Sequence, residues 1–98
     1  MTVIDDAQYK NVHIQIKNGE LNFSIQLIDF KGFVRPFIIR TLKLSGNSQS
    51  TKTEQHTLIH SAAELDDWIA QDSYSTHHPE SFLQVKDFAS KAWHEKNL

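Results

Sequence analysis

The chain of 98 residues contains no cysteine. That excludes a disulfide framework and a thiolate zinc site, so the fold must rest on its own core. It also fits a reducing compartment. Glycine occurs three times and proline twice, and no glycine-rich loop leads into a helix. A nucleotide-phosphate cradle is therefore not expected. No apolar stretch approaches the roughly 20 residues of a membrane span. The opening MTVIDDAQYK carries two aspartates and lacks an apolar leader block, so a soluble cytoplasmic protein is expected. Strong charge of one sign is missing too, since the formal net charge is −2. Length and composition fit a single domain over residues 1–98 with one core.

What the chain does have is charge sorted along its length. Lys10, Lys17, Lys31, Arg35, Arg40, Lys43 and Lys52 are opposed between residues 10 and 52 only by Glu20 and Asp29. Residues 53–85 contain no Lys or Arg and hold Glu54, Glu64, Asp66, Asp67, Asp72 and Glu80. The simplest expectation is that the two stretches complement each other inside one fold. The alternative is an exposed acidic surface that steers association with a charged partner.

Period-two alternation is clearest in VHIQIKNGELNFSIQL. Val12, Ile14 and Ile16 alternate with His13, Gln15 and Lys17; Leu21, Phe23, Ile25 and Leu27 alternate with Asn22, Ser24 and Gln26. Asn18-Gly19 between them predicts a type I′ hairpin over residues 12–28, pairing Lys17 with Glu20, Ile14 with Phe23 and Val12 with Ile25. Its polar face would show His13, Gln15, Lys17, Asn22, Ser24 and Gln26. Gly32 suggests a turn, and Pro36 suits a strand start or an edge. FIIRTLKL predicts a third strand. Phe37 and Ile39 share one face and Leu42 and Leu44 the other, so a bulge near Arg40-Thr41 is expected. Residues 45–50 read as a loop and residues 53–59 as a fourth strand.

SAAE at Ser61–Glu64 is a capping box that starts a helix. Ala62, Leu65, Trp68 and Ile69 fall on one side of it, which makes Trp68 a core residue. Pro79 at the first helical position predicts a second helix over residues 79–96. Its stripe is Phe82, Val85, Phe88, Ala89, Ala92 and Trp93, with Leu83 off the stripe. Both tryptophans are expected to be mostly buried against Ile14, Phe23 and Ile25. Strands first and helices last argue for an α+β fold, an antiparallel sheet of about four strands packed on one face by two C-terminal helices.

Catalytic chemistry finds little purchase. His56 and His60 are four apart, but on a strand that separates them by about 13 Å. His77-His78 completes no ligand pattern, so no metal and no cofactor are expected. Asp66 and Asp67 point about 100° apart on a helix and form no carboxylate dyad. No enzymatic activity is expected. Lys17, Arg35, Arg40 and Lys43 lie on or near strands beside Phe30, Phe33 and Phe37, and a basic sheet with aromatic platforms is one way to bind single-stranded nucleic acid. The competing expectation is that these phenylalanines fill the core.

The pattern S-x-x-E-L-x-x-W at Ser61, Glu64, Leu65 and Trp68, followed by the amphipathic helix from Pro79, resembles small phage-encoded anti-CRISPR proteins of the type I-F inhibitor kind. That resemblance implies a phage or mobile-element protein acting in the host cell cytoplasm. It implies a protein partner, a Cas subunit of a surveillance complex with a nucleic-acid-binding groove, blocked by an acidic surface that imitates DNA. Glu54, Glu64, Asp66, Asp67, Asp72 and Glu80 would form that surface. Neither direct nucleic-acid binding nor a membrane partner is expected on this reading; a nucleic-acid-binding module using the basic sheet, and an immunity or adaptor protein, are the alternatives.

Overall fold

A computed structural model describes residues 9–46 and 50–92. The elements are β1 (Tyr9–Ile16), β2 (Gly19–Phe30), β3 (Phe33–Ser45), β4 (Ser50–Leu58), α1 (Ala62–Ala70) and α2 (Pro79–Lys91). The strands form one antiparallel sheet in the order β1-β2-β3-β4. Both helices pack on the face that carries Phe23, which meets the Trp68 ring edge-on at 5.7 Å and the Phe82 ring at 5.1 Å. The α+β fold expected from the order of elements is the one observed.

Val12, Ile14, Leu21, Phe23, Ile25 and Ile38 supply the sheet side of the core, and Leu65, Phe82, Val85, Phe88 and Ala89 the helix side. Trp68 is half-buried and packs on this cluster rather than inside it, and Ala62 is exposed. Trp93 and the end of the second expected helix lie outside the described residues. Ser61 caps α1, its Oγ accepting from Glu64 N at 3.1 Å. Leu83 is exposed, as its place off the stripe requires.

The first hairpin forms in a register different from the one the Asn-Gly pair predicts. Ile16 faces Gly19, Ile14 faces Leu21 and Val12 faces Phe23, so Lys17 and Asn18 are the loop. Every partner on β2 moves by two residues, which preserves the buried face. The cause lies in β3. Asn18 alone takes the left-handed conformation, at φ 62°, and its carbonyl accepts from Ser45 N at 2.7 Å. Gly19 then lies flat against β3, where a Cβ would stand 2.0 Å from the Lys43 carbonyl oxygen. This glycine serves close approach of two backbones, not a turn. Gln15, not Lys17, faces Glu20, and Glu20 pairs with Lys43 instead.

The second hairpin turns at Lys31-Gly32, with φ of 54° and 86°, both positive as a type I′ turn demands. Asp29 Oδ1 accepts from Gly32 N at 3.1 Å and closes it. From there β3 runs without the expected bulge, since its pairing with β2 and β4 keeps one register throughout. Pro36, Ile38, Arg40 and Leu42 point to the helix face, and Arg35, Phe37, Ile39 and Lys43 to the other. No bulge is needed because Arg40 occupies an inner position with a partner of its own, Asp72. Pro36 sits in an interior strand, not at an edge. Its carbonyl accepts from Ile59 N at 3.0 Å, so its missing N–H falls on the side where β4 ends. The proline stops the β3–β4 ladder and costs the β2–β3 ladder nothing. The fourth strand begins at Ser50, earlier than expected, and residues 50–56 are all exposed.

Candidate functional site

The sheet face away from the helices is a ruled surface, read off the register. One row across it is Tyr9, Gln26, Phe37 and Leu58; the next is Asn11, Ser24, Ile39 and His56. His13, Asn22, Thr41 and Glu54 follow, then Gln15, Glu20, Lys43 and Lys52. Beyond Tyr9 and Leu58 the second hairpin continues alone, with Ile28 beside Arg35 and Phe30 beside Phe33. The face is thus polar at one end and aromatic at the other.

Phe30, Phe33 and Phe37 are not core residues. Phe33 is 55% exposed, Phe30 36% and Tyr9 41%, while Phe37 is half-buried against its outer-face neighbours. Cations stand over the rings. The Arg35 guanidinium lies 5.1 Å from the Phe33 centroid and Lys31 Nζ 5.3 Å from that of Phe30. Imidazoles meet them edge-on, His60 at Phe30 and His56 at Phe37, with centroids 5.9 and 6.0 Å apart. At the polar end, Lys43 and Lys52 border an open cleft of about 540 Å³ that Gln15 and Glu20 also line.

Local hydrogen bonds hold the polar rows. His13 Nδ1 donates to Asn22 Oδ1 at 2.6 Å, and Tyr9 OH donates to Asn11 Oδ1 at 3.0 Å. His56 Nε2 donates to Glu54 Oε1 at 2.7 Å, which holds the Glu54 carboxyl below its usual range, with Lys52 adding to the effect. Lys43 reaches Glu20 at 3.7 Å.

The six acids singled out in the sequence do not gather. Glu54 is on the outer sheet face, paired with His56. Glu64, Asp66 and Asp67 are on α1, and Glu80 opens α2. Asp66 pairs with Lys86 at 3.1 Å. Asp72 is not at the surface: its side chain is 5% exposed, and its Oδ2 accepts from Arg40 Nε at 2.6 Å. That bond is the one salt bridge, among the described residues, between the basic stretch and the acidic stretch. Apart from that bond the helix acids Glu64, Asp66, Asp67 and Glu80 lie away from the basic outer face, while Glu54 shares that face with Lys43 and Lys52. Of the cations expected on the sheet, Arg35 and Lys43 are on the outer face, Lys17 is in a turn, and Arg40 points inward.

The aromatic end was present in the sequence as the ambiguous phase of the third strand. Apolar residues on both faces of one strand mean that one set is not core. Among the described residues no three His, Asp or Glu side chains converge as metal ligands, and no helix is long and apolar enough to cross a membrane. No family model, no curated protein and no solved structure matches this chain.

Proposed function

We propose that the protein is a non-catalytic binding module whose outer sheet face holds single-stranded nucleic acid. The observation that carries this reading is the placement of Phe30, Phe33 and Phe37 outside the core, with Lys31 and Arg35 over two of the rings. Unstacked bases lie on such rings, and each stacked base contributes about 1–3 kcal/mol. Lys31, Arg35, Lys43 and Lys52 line the path for phosphates, opposed on that face by Glu20 and Glu54. A duplex hides the flat faces of its bases, so it gains only from the cations. The test is fluorescence anisotropy with a labelled strand of about 12 nucleotides and with the matching duplex. The strand should bind more tightly, and Phe33→Ala and Phe37→Ala should each weaken it about 5- to 150-fold. Equal binding of strand and duplex, or no effect of either alanine, would overturn the reading.

The helical side supports a second reading. Asp67 and Glu80 are exposed and make no ion pair with a described residue. Together with the resemblance carried by Ser61, Glu64, Leu65 and Trp68, this supports an anti-CRISPR inhibitor that seats its helices in a basic groove of a Cas subunit. Asp67→Lys with Glu80→Lys should then abolish co-purification with a type I-F surveillance complex, and Phe33→Ala should not.

A further inference from the structure

We propose that β4 is a self-association edge, through which two copies join antiparallel about a two-fold axis at Thr53. This inference is independent of what the sheet face binds. Ile59 N donates to Pro36 O, so odd-numbered residues of β4 direct their backbone groups to β3. Lys52, Glu54 and His56 therefore turn their N–H and C=O groups outward. No described residue accepts or donates to them there. The strand is nine residues long and contains no proline, and its exposed positions are rich in Thr and Ser. Such an edge is a template for another strand.

Charge selects both the partner and the register. On the outer face β4 presents Lys52 and Glu54 in sequence. A two-fold pairing centred on Thr53 sets Lys52 opposite Glu54 of the second copy, twice. Both residues have outward backbone groups, so these are hydrogen-bonded pairs, while Thr53 meets Thr53 in a non-hydrogen-bonded pair. Sliding the strands by two residues in either direction sets Lys52 against Lys52 or Glu54 against Glu54, and like charges directly opposite are unfavourable. Glu54 keeps its contact with His56 through Oε1, leaving Oε2 for the incoming lysine. The other edge, β1, holds Lys10 as its one Lys, Arg, Asp or Glu, so nothing there specifies a second copy. Joining at β4 makes one eight-stranded sheet with two outer faces side by side.

The absence of cysteine makes the test clean. Thr53→Cys places two thiols at a Cα separation of about 4.5 Å, within disulfide reach. Mild oxidation should give a covalent dimer on a non-reducing gel, faster than Thr51→Cys, which keeps both charges and reports a register displaced along the same edge. Adding Lys52→Glu to Thr53→Cys should abolish cross-linking, and adding Glu54→Lys as well should restore it. The restoration also shows that the variants fold. Sedimentation of the unmodified chain should show a monomer–dimer equilibrium that Lys52→Glu shifts to monomer. A chain that stays monomeric as concentration rises, a Thr51→Cys that cross-links as fast as Thr53→Cys, or a double reversal that fails to restore the dimer would each overturn the proposal.

Discussion

Arg40 and Asp72 illustrate how one residue pair can reorganise a strand. Arg40 stands where an apolar residue would be expected, beside Phe23, with 15% of its side chain exposed. Its charge is met by Asp72, whose other oxygen accepts from Tyr74 N at 2.9 Å, while the guanidinium lies 5.8 Å from the Tyr74 ring centroid. The pair ties the middle of the sheet to the link between the helices. Removing one partner strands the other charge in a half-dry site. Asp72→Ala should therefore lower the unfolding free energy by about 3 kcal/mol, seen as a lower urea midpoint at unchanged slope. Arg40→Met combined with Asp72→Leu should recover much of that loss. If the double variant is as unstable as the single one, the pair stabilises through geometry rather than charge balance. Glu54 invites a second measurement. Its hydrogen bond from His56 lowers its pKa, so the contact stabilises the fold above the ordinary carboxylate range and is lost as pH falls through the lowered value. A carboxyl NMR titration should place Glu54 below the ordinary glutamate range, and His56→Ala should raise it.

The two hairpin loops divide their labour in a way that local rules only half describe. Lys31 carries a positive φ with no steric excuse, so Lys31→Asn should raise stability by roughly 0.5–1 kcal/mol. Gly19→Ala should do the reverse, by about 1–3 kcal/mol, because the new methyl must push back the Lys43 carbonyl. Thermal melts of the two variants, moving in opposite directions, would check both assignments. The Asn-Gly rule placed a hairpin correctly and its register wrongly, since it considers one turn and not the strand that later covers it. Alternation revealed the buried face of β1 and β2, the α2 stripe and the cap at Ser61, all of which depend on near neighbours. It could not reveal that Arg40 has a partner 32 residues away, so the third strand looked broken when it was regular. The same long-range fact concealed the candidate site. Once Arg40 is accepted as inner, Phe33, Arg35 and Phe37 must be outer.

Seen whole, the molecule measures 49 × 29 × 20 Å, and its long dimension suits strands of 12 and 13 residues. One broad face carries Lys31, Arg35, Lys43 and Lys52; the helical side carries Asp66, Asp67, Glu80 and Asp87 against Lys86 and Lys91. A polyanion should approach the first and avoid the second. Affinity for a single strand should fall as salt rises, and Lys43→Ala should reduce the slope of log affinity against log salt by about 0.7 for each phosphate lost. Asp66→Lys, on the far side, should leave that slope unchanged. The meander has a consequence for synthesis. Each strand pairs with its neighbour in sequence, so the sheet can close hairpin by hairpin as the chain emerges. Phe82, Val85, Phe88 and Ala89, which cover its inner face, come later. At ordinary translation rates, the roughly 30 residues from the end of the last strand through Ala89 take about 2–6 s to make. For most of that interval only α1, through Leu65 and Trp68, is there to cover the inner face, and a chaperone would meet the chain as a half-roofed hydrophobic floor.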